Sequence, residues 1–187
     1  MLDIRDELID IYSNRATDQY GLSDVNQLQH ALQSAALAER QGADADLIVA
    51  ALLHDVGHMI HNLGQDPALE GIDDTHEELA AAWLGPHFGP AVTEPVRLHV
   101  PAKRYLCATE PDYFEKLSED SVRSLALQGG SMSRTELAAF ESLPYWRQAV
   151  QLRRIDDTAK DPAAVTEPFP YYLKYIDRAL LASKPAP

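Results

Sequence analysis

Apolar positions recur at helical spacing along most of the chain. Leu2, Ile4, Leu8, Ile9 and Tyr12 form one stripe and predict a first amphipathic helix. Val25, Leu28, Leu32, Ala35, Ala36 and Ala38 form a second. Asp24 stands where it can cap that helix, and Gly42 where it can end it past Arg40. Asp44 opens a third helix, Ala45 to about His58, that is almost wholly apolar from Leu47 to Leu53. A helix apolar on all sides belongs in the middle of a bundle.

Residues 59–74 carry Gly64, Pro67, Gly71 and Asp73-Asp74, and predict a loop. Asp74 or Thr75 starts a fourth helix through Trp83, closed by Gly85-Pro86. A fifth runs from about Pro90 to His99, with Pro101 and Pro111 punctuating the stretch after it. Ser118 begins a helix that ends at Gly129-Gly130, and Ser133 to Glu136 fits a capping box. Pro144 suits the first turn of a long helix to about Lys160. Pro162, Pro168 and Pro170 mark a linker before a last helix, Tyr171 to Leu181. No strand-like alternation and no internal repeat interrupts this series. The expectation is an all-α fold, one domain over residues 1–187.

Composition narrows the class. Hydrophobic residues make up 45% and charged residues 24%, which argues for a packed domain over a disordered chain. One cysteine, Cys107, rules out an intrachain disulfide, and a lone thiol without an activating environment reads as inert. With 16 Lys+Arg against 29 Asp+Glu the net charge is −13, which repels nucleic-acid backbones. No run approaches the ~18 apolar residues of a membrane span. The first seven residues are acidic and lack a signal-peptide layout. We expect a cytoplasmic protein with no nucleic-acid or membrane partner and no evident obligate protein partner.

The chemistry gathers at His54-Asp55, at the end of the apolar run Ala50-Ala51-Leu52-Leu53. A buried His-Asp pair is costly unless paired or bound to metal. Imidazole and carboxylate are usual ligands of iron, manganese and zinc. Gly57 allows close backbone approach, and His58 stands one turn after His54. His30 lies in the second helix beside Asn26, Gln27, Gln33 and Ser34. His76 lies in the first turn of the fourth helix and His99 near the end of the fifth. Each of these histidines alone suits a structural or surface role. One per consecutive helix around a buried His-Asp pair is what a bundle needs for a metal site in its core.

The order His30, His54-Asp55, His76, His99, with Asp156 in Arg153-Arg154-Ile155-Asp156-Asp157, resembles the HD-domain superfamily. More closely it resembles the small oxygenases of that superfamily that cleave organophosphonates at a di-iron centre. Ala50 to His58 is similar to their core motif, and His99 to Leu106 and Leu127 to Gly130 are similar to two further segments. The likeness runs from about Tyr20 to Lys160. It implies an HD-domain helical bundle. His30, His54, Asp55, His76, His99 and Asp156 would bind two iron ions, Asp55 bridging, in a mixed-valent Fe(II)/Fe(III) state with O2 as co-substrate. For the oxygenase reading zinc is excluded, because oxygen chemistry needs a redox-active metal. A shared carboxylate also lowers the repulsion between two adjacent cations.

The implied substrate is a small 1-hydroxyphosphonate, with Lys103 as the first candidate to hold its dianion. Arg153, His58 and Gln128 are further candidates, while Arg104 reads as a surface cation. The pattern departs from the aminophosphonate enzymes at one place. They carry a Tyr followed three residues later by Glu; here Tyr20 is followed by Ser23. A quaternary ammonium has no N–H to satisfy and prefers an aromatic surface. The expected reaction is therefore conversion of 1-hydroxy-2-(trimethylammonio)ethylphosphonate to glycine betaine and phosphate. The same chemistry on 2-amino-1-hydroxyethylphosphonate is the alternative, followed by a metal phosphohydrolase and a non-catalytic helical module.

Overall fold

The computed structural model describes residues 3–18, 22, 24–61, 63 and 67–180. Among them are ten α-helices and no strand; a single isolated bridge joins Phe88 to Leu180. Helix α1 (Ile4–Asn14) starts at Asp3, whose carboxylate accepts from the Arg5 amide, and it buries Ile4, Leu8, Ile11 and Tyr12. Ile9, expected in that stripe, is exposed; the burying position is Ile11. Helix α2 (Gln27–Arg40) is capped by Asn26 and not by Asp24. The Asn26 side chain accepts from the Gln29 amide while Gln29 accepts from the Asn26 amide, so two orphan donors are satisfied reciprocally.

The apolar run becomes two helices instead of one. Helix α3 (Ala45–Leu53) ends at His54, and a short α4 (Val56–Ile60) comes next. Asp55, at φ −97° and ψ 8°, turns the chain between them. Every residue from Leu47 to Leu53 is buried, and α3 packs against α2, α6, α9 and α10. Tyr12 of α1 donates its hydroxyl to the Leu52 carbonyl at 2.8 Å. The predicted loop, 59–74, begins within the last two residues of α4 and contains a 3₁₀ turn, Pro67–Glu70. It leads through Thr75 to α5 (His76–Leu84).

Helix α6 (Pro90–Thr109) continues ten residues past the predicted end and runs through both Pro95 and Pro101. An interior proline costs about 3 kcal/mol. Burying Leu98 and Leu106, on either side of Pro101, offsets that at roughly 1.5–3 kcal/mol each. Helices α7 (Glu119–Leu127) and α8 (Arg134–Glu141) start at Ser118 and at the Ser133 capping box, as expected. Helix α9 (Trp146–Thr158) begins after Tyr145, at φ 62°, so Pro144 stands just outside the first turn. Helix α10 (Phe169–Ala179) starts two residues earlier than predicted, with Pro170 in its first turn. One apolar cluster joins α1, α2, α3, α5, α6, α9 and α10, and a smaller one joins Leu98, Ala102, Phe140 and Ala149. Between these clusters α2, α3, α5, α6 and α9 each present polar side chains to a common centre.

Candidate metal centre

The break after α3 has a consequence for chemistry. His54 ends the helix with its Nδ1–H donated to the Ala51 carbonyl at 2.9 Å, and Asp55 is released to face the centre. His30 donates its Nδ1–H to the carbonyl of Ala159, at the end of α9, at 2.9 Å. His99 donates likewise to Val96 within α6 at 2.6 Å. His76 donates to the Asp74 carboxylate at 2.9 Å. Such partners fix which ring nitrogen keeps a lone pair. In all four histidines that nitrogen is Nε2, and all four Nε2 atoms converge.

The distances divide the cluster in two. His30 and His54 Nε2 are 3.1 Å apart, with Asp156 Oδ1 at 3.2 Å and 3.9 Å. His76 and His99 Nε2 are 3.2 Å apart, with Asp55 Oδ1 at 3.6 Å and 3.7 Å. Asp55 spans both halves: Oδ1 is 3.4 Å from His54 Nε2, and Oδ2 is 3.5 Å from His30 Nε2. Each triad, His30/His54/Asp156 and Asp55/His76/His99, has the spacing to hold one metal ion. With their Nδ1 protons committed elsewhere, the facing Nε2 lone pairs repel until a cation lies between them. The donor set of four imidazoles and two carboxylates fits two first-row transition metals.

The electrostatics are anionic at the carboxylates. Burial alone would raise Asp55, but His54, His58, His30 and His76 together hold it far below the usual carboxylate range. Burial opposes ionisation of Asp156 too, and the cations Arg153 and Lys160 outweigh it. Arg153 reaches Asp156 Oδ2 at 2.9 Å, leaving Oδ1 for the centre, and also pairs with Asp157.

A pocket opens beside the second triad, lined by His58, Lys103, Ser121, Ser124, Gln128 and Arg153 among others. Lys103, 2% exposed, donates its ammonium to Ser124 Oγ at 2.8 Å. Among the described residues no carboxylate makes an ion pair with it. Burial, then the nearby Arg153 guanidinium, push Lys103 down to about 7. Gln128 Oε1 is buried without a hydrogen-bond partner among the described residues. The Gly129-Gly130 step behind it packs on Arg104, which donates to the Gly130 carbonyl at 2.8 Å and pairs with Glu136 at 2.6 Å. Arg104 therefore holds α6 to the segment after α7 and does not line the pocket.

All six expected ligands thus meet at one centre, with His58, Lys103, Arg153 and Gln128 at the pocket beside it. Tyr20 and Ser23 lie outside the described residues. Sequence reasoning missed Ser121, Ser124 and Lys160, which line the pocket, and Asp74, which holds His76. A Ser-x-x-Ser spacing on an amphipathic helix is too common a signal to have singled them out. Cys107 takes no part, and burial keeps it a thiol. His87 lines no part of the pocket.

The family model described as HD domain matches residues 28–126. Over 168 residues the chain is 39% identical to a [1-hydroxy-2-(trimethylamino)ethyl]phosphonate dioxygenase (glycine-betaine-forming) from Leisingera caerulea, covering 90% of this chain and 86% of that protein. Over 137 residues it is 51% identical to a hydroxymethylphosphonate dioxygenase from Gimesia maris, covering 73% of this chain and 68% of that one. An uncharacterised protein of Acanthamoeba polyphaga mimivirus is 33% identical over 167 residues, 88% of this chain and 76% of its own length. The chain belongs to the HD-domain family and, within it, to the group that contains these phosphonate dioxygenases.

Proposed function

We propose that the chain is a cytoplasmic, single-domain oxygenase that uses O2 to cleave the C–P bond of a 1-hydroxyphosphonate at two irons. His30, His54 and Asp156 would hold one iron and His76 and His99 the other, with Asp55 within reach of both, and a mixed-valent Fe(II)/Fe(III) pair would be the working state. Iron held there would supply the one-electron chemistry that triplet oxygen requires. The observation that carries the reading is Lys103: a buried ammonium with no carboxylate partner among the described residues, opening on the same pocket as the second triad. Such a group suits an anion, and a phosphonate dianion held there would lie in the pocket that Asp55, His76 and His99 also line. Ser121 and Ser124 hydroxyls, the Arg153 guanidinium and the Gln128 amide add donors for its remaining oxygens. One cysteine in 187 residues fits a reducing compartment.

The overall reaction balances without an outside reductant. R–CH(OH)–PO3²⁻ and O2 give R–COO⁻, HPO4²⁻ and a proton. For 1-hydroxy-2-(trimethylammonio)ethylphosphonate the products are glycine betaine and phosphate. Two observations support that substrate: the Leisingera caerulea relative aligns over 90% of the chain, and Asp73 and Asp74 lend the pocket negative charge suited to a cationic tail. Pro67, Ala68, Ile72 and Leu127 supply an apolar wall that strands no methyl group in water. The second reading is hydroxymethylphosphonate, giving formate and phosphate, favoured by the 51% identity to the Gimesia maris relative.

The test combines iron quantification with O2 consumption and phosphate release on these two phosphonates and on 2-amino-1-hydroxyethylphosphonate. About two irons per chain and the highest kcat/KM on the trimethylammonio compound are expected. Preference for hydroxymethylphosphonate would install the second reading. Phosphate release without O2 uptake would make the chain a phosphohydrolase.

A further inference from the structure

Asp74 stands behind the second triad, on the segment that enters α5. Its Oδ1 accepts from the Nδ1–H of His76 at 2.9 Å. Its Oδ2 lies 2.7 Å from Nδ1 of His58, a charge contact in which the N–H is not aligned for a hydrogen bond. The Leu63 amide donates to His61 Nδ1 at 3.2 Å, which leaves the His61 proton on Nε2, 3.4 Å from Asp74 Oδ2. The rings of His58 and His76 are stacked, with centroids 3.8 Å apart and planes 23° from parallel. A single carboxylate thus meets three imidazoles, one facing the metal centre and one facing the pocket.

Two backbone features produce this meeting. Thr75 sits at φ 46°, a left-handed conformation that a β-branched residue rarely adopts. That one residue turns the chain between Asp74 and His76, so that two neighbours in sequence point their side chains at each other. Gly57 does the complementary work from α4. A Cβ there would lie 2.0 Å from the His76 carbonyl oxygen, so only glycine lets α4 press against the start of α5. That contact brings His58, the next residue, over the His76 ring. Helix packing alone would need neither the left-handed threonine nor a glycine under van der Waals contact.

We propose that Asp74 is a shared positioning residue: its Oδ1 fixes the proton position and ring plane of the metal-facing His76 by a hydrogen bond, and its Oδ2 holds the pocket-facing His58 by a close charge contact. This rests on the metal-centre reading above. The Nδ1 proton of His76 is committed to Asp74, and a carboxylate oxygen 2.7 Å from His58 Nδ1 favours a proton there too, so both Nε2 atoms keep lone pairs. That of His76 turns to His99 and Asp55; that of His58 turns to the pocket, 4.0 Å from Asp55 Oδ1. His58 then offers an acceptor to a donor on the substrate, such as a C1 hydroxyl. A substrate that moves His58 also changes the support of His76.

The test uses Asp74→Asn, which keeps the shape and leaves one acceptor oxygen for two N–H donors. The readout is iron release from the loaded enzyme to excess chelator, with iron per chain and circular dichroism measured alongside. Outer partners of ligating histidines are worth about 10–100-fold in metal affinity. One of the two irons should therefore leave at least about tenfold faster in Asp74→Asn, with helix content unchanged. Adding His58→Ala removes the competing donor, so the amide oxygen serves His76 alone and release slows again. A merely structural Asp74 predicts a double variant at least as leaky as the single one. Unchanged release in Asp74→Asn, or a double variant as fast as Asp74→Asn, overturns the proposal. A wild-type chain that never holds a second iron overturns the metal-centre reading itself, and that is known before any variant is made.

Discussion

The two halves of the centre are built differently. His30 and His54 are fully buried and are held by the carbonyls of Ala159 and Ala51, at or near helix ends. His76 is held by a carboxylate on the segment between α4 and α5, and its ring lies beside the pocket. Backbone carbonyls at the ends of packed helices move only if the bundle moves. A side chain on a connecting segment can be altered by one substitution or by a bound ligand. His99, the other histidine of the outer half, is likewise held by a backbone carbonyl, that of Val96, so the adjustable support is the one at His76, on the side where the pocket opens.

The largest expected effect erases the comparison altogether. Asp55 is within 3.7 Å of all four Nε2 atoms. Asp55→Ala should empty both halves, and turnover should fall beyond the 10–100-fold typical of outer-shell changes. Metal analysis by mass spectrometry checks this. Retention of two tightly bound irons would remove Asp55 from the bridging position.

Lys103→Ala leaves both halves loaded and strikes only what the outer half faces. Truncating one partner of a desolvated charge pair costs roughly 2–5 kcal/mol. The expected result is a KM raised by about 30-fold or more with iron content unchanged. The pH profile carries a sign. Because Lys103 is pushed down to about 7 in the fold, its charge is lost as pH rises through neutrality. The wild-type KM should therefore climb between about pH 6 and 8 relative to Lys103→Arg, a comparison that cancels the phosphonate's own titration. Stability runs the other way. Between about 7 and the unfolded value near 10.4 the unfolded chain binds more protons at this site, so Lys103's contribution to folding improves as pH rises across that window.

The sequence was unevenly legible for physical reasons. The six candidate ligands were readable because a bundle core admits polar side chains only where something satisfies them, so histidines spaced by about one helix each stood out. The break at His54-Asp55 was not readable: no Gly or Pro marks it, and the apolar run reaches it without interruption. Pro101 misled in the opposite direction, because burial on both sides keeps α6 helical through a residue that local rules treat as a stop. Asp74 read as a loop acid and helix start, since nothing local reports that its two oxygens reach His58 and His76. Asp24 looked like a cap only until Asn26 and Gln29 were seen to satisfy each other.

Gly57→Ala sharpens the comparison from the outer side. The added methyl meets backbone, not a flexible side chain, so α4 and the start of α5 must part. Overpacking of this kind costs about 1–3 kcal/mol. The displaced element carries His58 and His76, while His30, His54 and Asp156 stand on α2, α3 and α9. We expect one iron to be lost or loosened and the other kept, measured as iron per chain beside a thermal melt. Equal loss of both would mean that the halves do not fail separately.

The smallest effect tests the inner side. Asn26→Ala removes the side-chain acceptor for the Gln29 amide and half of the capping box of α2, one turn before His30. Loss of such a cap costs about 1 kcal/mol. The His30 ring is held by the Ala159 carbonyl, across 129 positions of sequence, and by complete burial. Fraying the first turn of α2 leaves both supports in place. The melting temperature should fall by about 2–4 °C, the shift expected for that energy in a chain of this size. Iron release to chelator should stay at the wild-type rate. The contrast with Asp74→Asn is then complete: one variant costs stability without metal, the other metal without stability. Faster iron release in Asn26→Ala would show that the inner half depends on its local helix start, and the backbone-scaffold account of His30 and His54 would fail.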